Sequence, residues 1–156
     1  MNILFYFVLI VVVCVGCSDG TGNEKMAARL ADEIVEEGFT SVEQALERVD
    51  SAEQADVFTP AHANITKAMI YANADQRRMA GYYAEKAINA ENEQDIISSC
   101  DSSNYYTARW ILADVACANG EYGKSLALAK EVLSLVGDQA SSQNIAVKCK
   151  ASFLYR

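Results

Sequence analysis

Beyond an apolar N-terminal run, apolar residues recur at helical spacing along almost the whole chain. Met26, Leu30, Ile34 and Val35 make one stripe, stopped by Gly38, and Val42, Ala45, Leu46 and Val49 make the next, which predicts a helical hairpin. Between them Thr40 with Glu43 fits a capping box, in which hydroxyl and carboxylate each accept from a free backbone N–H of the first turn. Thr59-Pro60 opens a further helix, since Thr caps and Pro at the first helical position loses no needed hydrogen bond. Ile65, Ala68, Met69 and Ala72 stripe that helix, and after Asn73-Ala74-Asp75 its partner carries Met79, Ala80, Tyr83, Ala84, Ala87 and Ile88. A polar stretch, ENEQDIISSCDSSN, breaks the pattern before Tyr105, Ala108, Leu112 and Val115 resume it. Asn119-Gly120 ends that helix. Tyr122, Leu126, Ala129, Val132, Leu133 and Val136 form its partner, and Ile145, Cys149 and Phe153 stripe a last one. The expectation is about seven helices, in three antiparallel hairpins plus one. One Pro and eight Gly in 156 residues, with an Ala-, Glu- and Leu-rich composition, argue against a many-turned β-sandwich, and the expected class is all-α.

The leader obeys a different rule. Ile3 to Val15 is apolar throughout, but a helix crossing the ~30 Å of hydrocarbon needs roughly 20 residues. A run of this length suits the core of a secretory signal peptide, which ends at small residues before cleavage. Cys14-Val15-Gly16-Cys17 then resembles the bacterial lipobox, with small Gly16 before the cysteine and Cys14 where that family usually has Leu. The resemblance implies a signal peptide over 1–16, removed by cleavage, and a diacylglycerol on Cys17. Residues 17–23, CSDGTGN, would then be a lipidated cysteine and flexible tether, and 24–156 the folded domain. Ser18 stands where lipoproteins retained in the inner membrane carry Asp, so the resemblance points to the outer membrane. An uncleaved leader and a buried strand remain as other readings of the run.

The hairpin from Ala108 to Leu135 resembles a tetratricopeptide repeat (TPR): Leu112 and Ala113 on the first helix, Gly120 and Tyr122 at the turn, Leu126 and Leu133 on the second. Arg109 stands where that family has Trp, and Ser125 and Val132 where it has Ala. A weaker copy carries Tyr71, Ala80, Ala87 and Ile88, with Asp75 in place of the turn Gly. Ala87 and Val132 are equivalent and 45 residues apart, against a usual period of ~34, so an insertion is expected near Asn92 to Ser103. The resemblance implies a short solenoid of stacked hairpins; an irregular helical bundle would show the same stripes.

Charge narrows the partners. The chain carries a net charge of −8, and from Asp19 to Phe58 eleven acidic residues face three basic ones. Such acidity repels phosphate backbones, so nucleic acid is not an expected partner. No cofactor and no metal site are expected, because His62 is the only histidine and no phosphate-binding glycine loop occurs. His62 itself reads as an exposed or half-buried helix residue. With no nucleophile, base or paired carboxylates at suggestive spacing, the chain is not expected to be an enzyme.

The function these features imply is a membrane-anchored, non-catalytic scaffold holding a protein or peptide partner in the bacterial envelope. Candidate contact residues on the first helices of the hairpins are Asn64, Lys67, Tyr71, Tyr106 and Arg109. An exported sensory region of a signalling protein and a structural envelope lipoprotein are the alternatives. Cys117 and Cys149, on the first helices of neighbouring hairpins, could bridge in an oxidising compartment, or could be buried thiols.

Overall fold

The computed structural model describes residues 20–90 and 102–136. These form six helices: α1 (Gly20–Glu37), α2 (Val42–Gln54), α3 (Pro60–Asn73), α4 (Arg77–Ala90), α5 (Ser102–Ala118) and α6 (Tyr122–Val136). No strand occurs among the described residues, and the chain is all-α as expected. The leader, the Cys17 lipidation site, most of the expected insertion and the last helix, with Ile145, Cys149 and Phe153, lie outside the described residues. Helix α1 begins at Gly20, so residues 20–23 of the expected tether belong to it.

Helix boundaries follow local chemistry. Thr59 caps α3 as expected, its hydroxyl accepting from the His62 N–H at 3.1 Å, with Pro60 in the first turn. The cap of α2 is Ser41 rather than Thr40. The Ser41 hydroxyl accepts from the Gln44 N–H at 3.3 Å, while Thr40 donates to the Glu37 carbonyl at 2.8 Å and so closes the end of α1. Gly38 stops α1 because the chain passes close to α3: a Cβ there would lie 3.1 Å from the Val35 carbonyl oxygen and 3.2 Å from Ile70 Cγ2.

Three helix ends share one device. Asp56, Asp75 and Gly120 follow α2, α3 and α5 with φ of 55°, 56° and 79°. In each case the next N–H reaches back five residues, Val57 to Ala52, Gln76 to Tyr71 and Glu121 to Ala116, all at 2.9 Å. A left-handed residue is what this termination requires, and Asp tolerates it better than most side chains. Asp75 therefore does what Gly120 does in the equivalent turn.

Helix packing is regular. Each helix contacts the next, α1 contacts α3, and α3 contacts α5. The second helix of each hairpin buries residues at i, i+4 and i+7: Ala45, Val49 and Ala52 on α2; Ala80, Ala84 and Ala87 on α4; Ser125, Ala129 and Val132 on α6. Small residues there let the helices approach closely. Helix α3 is shared by two clusters of core residues: Ala63 and Ile70 join Ile34, Val49 and Phe58, whereas Ile65 and Ala68 join Ala80, Ala84 and Ile111. On α6 the apolar stripe is buried in part: Ala129 and Val132 face inward together with Ser125, whereas Tyr122 and Leu126 are exposed. Among the described residues that helix contacts only α5.

Candidate functional site

The five candidate contact residues fall into two places. Lys67 and Tyr71, one turn apart on α3, lie where α2, α3 and α4 meet. The Lys67 ammonium, on a side chain only 13% exposed, pairs with Asp50 at 2.6 Å and Glu53 at 3.6 Å, both on α2. It also lies 5.7 Å from the centre of the Tyr83 ring on α4. Tyr71 stacks on that ring, with centroids 5.5 Å apart and planes 8° from parallel. Asn64 is half-buried on the same helix. Tyr106 and Arg109 sit apart on α5: Tyr106 is buried with Val132, and Arg109 reaches Glu131 of α6 at 2.9 Å. Lys67, Tyr71 and Arg109 thus spend their polar and aromatic groups joining one helix to another.

The aromatic cluster continues outward along residues that sequence reasoning treated only as a helix stripe. Tyr83 meets Tyr82 edge to face at 5.1 Å, and the Lys86 ammonium lies 5.0 Å over the Tyr82 ring. Tyr82 is half exposed. The signal was present in Tyr82, Tyr83 and Lys86, whose spacing puts a cation one turn from an aromatic pair. Their meeting with Lys67 and Tyr71 depends on how α3 and α4 pair, which spacing within one helix does not encode.

Charge at this junction is held by its neighbours. Burial pulls the Lys67 ammonium down, but its hydrogen bond to Asp50 and the charges of Asp50 and Glu53 outweigh that, and its pKa is raised above 10.5. Burial, then the neighbouring Tyr83, raises the Tyr71 phenol above 10.0. Both groups are better protonated in the folded than in the unfolded chain, so their contribution is complete below about pH 10 and is lost as pH climbs past their folded values. The melting temperature should fall on titration from pH 9 to 12. Lys67→Met should cost roughly 1–2 kcal/mol at pH 7, the scale of a charged hydrogen bond, and should flatten that fall. An unchanged alkaline slope in Lys67→Met would remove this junction from the account of stability.

Tyr82 also forms one wall of an open cleft of about 450 Å³ between α4, α5 and the start of α6. Its floor is Gly81, Leu112, Val115 and Ala116; Arg77, Arg78 and Lys124 stand on its rim beside Glu85 and Glu121.

His62 is buried more deeply than expected, its ring stacked on Phe58 with centroids 4.5 Å apart. Among the described residues no group of three or more His, Cys, Asp or Glu side chains could hold a metal ion, and no helix is long and apolar enough to cross a membrane. Cys117 is half-buried on α5. Comparison with protein-family models, curated proteins and solved structures gives no match for this chain.

Proposed function

We propose that the chain is a lipid-anchored, non-catalytic scaffold of TPR-like hairpins that holds a protein or peptide partner in the bacterial envelope, on the outer membrane. The observation that carries the scaffold reading is the packing order. The first helix of each hairpin touches its own partner, the preceding second helix and the neighbouring first helices, as in a stacked array. The shared turn geometry at Asp75 and Gly120 and the 45-residue offset between the buried triplets of α4 and α6 support the same register. Stacked hairpins make extended surfaces that bind without chemistry.

Anchoring rests on the lipobox resemblance at Cys17. Two or more acyl chains, at about 0.8 kcal/mol per buried CH₂, hold a protein on a bilayer stably where one chain does not. Metabolic labelling with an alkyne fatty acid should mark the full-length protein. Cys17→Ser should abolish label and processing and displace the protein from its normal membrane, while leaving its helical circular dichroism unchanged. Labelling of that variant at the wild-type level, with normal mature size, would end the lipoprotein reading. Mild crosslinking on intact cells should join the domain to a defined envelope partner, and repeated recovery of none would end the scaffold reading.

A further inference from the structure

The cleft between α4, α5 and α6 combines an apolar floor with a cationic rim, and three features separate it from ordinary surface. Arg77 and Arg78 open α4 and Lys124 lies in the first turn of α6, where the aligned peptide dipoles disfavour cations, and neither helix has an acidic residue in its first turn to offset them. Arg77 leans on Asp75 at 2.9 Å and Lys124 on Glu121 at 3.7 Å, both exposed pairs of little energetic weight, and Arg78 has no ion-pair partner among the described residues. Three cations against Glu85 and Glu121 give the cleft lining the opposite sign to a chain of net charge −8.

The floor is as telling as the rim. Gly81 stands in the middle of α4, where glycine is unfavourable. Packing does not demand it, since a Cβ there would meet Val115 at 3.4 Å, an ordinary contact. Gly81 is buried against Val115, and Leu112 and Val115 beside it are half-buried, so the floor of the cleft is apolar and partly open. A cleft of about 450 Å³ falls within the size range of ligand sites, roughly 300–1,000 Å³.

We propose that this cleft is where the partner is held, and that the partner presents an acidic peptide segment with one large apolar side chain between its carboxylates. The inference rests on the scaffold reading and gives it a location and a partner chemistry. The apolar side chain covers Leu112 and Val115 beside Tyr82. The flanking carboxylates take Arg78 and Arg77, whose planar guanidinium forks match a carboxylate with two parallel hydrogen bonds. A basic segment would meet three cations of the lining against only two carboxylates, Glu85 and Glu121. The site lies where α4 and α6 start, and Tyr82 in its wall meets Tyr83, the ring on which Tyr71 stacks.

Fluorescence polarisation on the full chain in detergent tests this with two labelled, amidated probes, Asp-Glu-Phe-Glu-Asp and Lys-Arg-Phe-Lys-Arg. The acidic probe should bind at least 10-fold more tightly than the basic one and should weaken as NaCl rises from 50 to 500 mM. Arg78→Glu, at an exposed position, should weaken it at least 10-fold with unchanged helical circular dichroism. Equal binding of both probes, or unaltered binding by Arg78→Glu, would overturn the assignment. If Arg78→Glu still crosslinks to the same envelope partner as the wild type, the cleft assignment falls and the scaffold reading stands. If the acidic probe binds as expected but neither form crosslinks to any partner, the scaffold reading falls and the cleft stands.

Discussion

Ile70→Ala should lower the stability of the domain by about 2–5 kcal/mol, the range for deleting a large aliphatic side chain from a packed interior. Ile70 is fully buried and carries the contact of α3 with the first hairpin, packing in one cluster with Ile34, Val49 and Phe58 and touching the close turn at Gly38. Alanine there leaves a cavity that neighbours on three helices cannot all close. Against a total of about 5–15 kcal/mol for an ordinary domain, the loss is large enough to populate unfolded protein at physiological temperature. Urea unfolding followed by circular dichroism should show a midpoint well below that of the wild type. A cost under about 1 kcal/mol would mean that the first hairpin does not dock on α3 through this residue.

The second large effect comes from adding volume rather than removing it. Ala84 is fully buried at the middle of the α4 triplet, in the cluster that also holds Ile65, Ala108 and Ile111, so its methyl group sets how closely α4 meets α3 and α5. Ala84→Leu adds three carbons where no space exists and should cost about 1–3 kcal/mol or more through displaced helices and strained rotamers. Glu85→Leu on the exposed side of the same helix should change stability by less than about 0.5 kcal/mol. The contrast separates a packing effect from a change in helix propensity. Equal melting temperatures for the two variants would mean that α4 is not held at close range.

What could be read from residues alone was whatever depends on one helix at a time. The stripes on α3 and α4, the Thr59 cap and the Gly120 turn are local, and the sequence carries them at fixed offsets. The α2 cap slipped by one residue because Thr40 and Ser41 are both capping residues, and the choice between them is made by where α1 ends. On α6 the stripe held at Ala129 and Val132 but not at Tyr122 and Leu126, because an apolar side chain is buried only if a neighbour covers it. At the candidate site, Lys67 and Tyr71 were found as polar and aromatic residues on a helix. Their use as a brace between α2 and α4 follows from the pairing of Asp50, Glu53 and Tyr83 across helices. The cleft was invisible for the same reason: Arg77, Arg78, Leu112 and Lys124 come from three helices, and no spacing links them.

The restriction of contacts to helices near in sequence also shapes how the chain acquires its structure in time. Among the described helices α1 touches nothing beyond α3, and α3 nothing beyond α5, so each of these contacts closes over a short stretch of chain. Folds built from such local contacts have low contact order and reach the native state in microseconds to milliseconds. The α1–α2 pair and its seat on α3 can therefore form without waiting for α6.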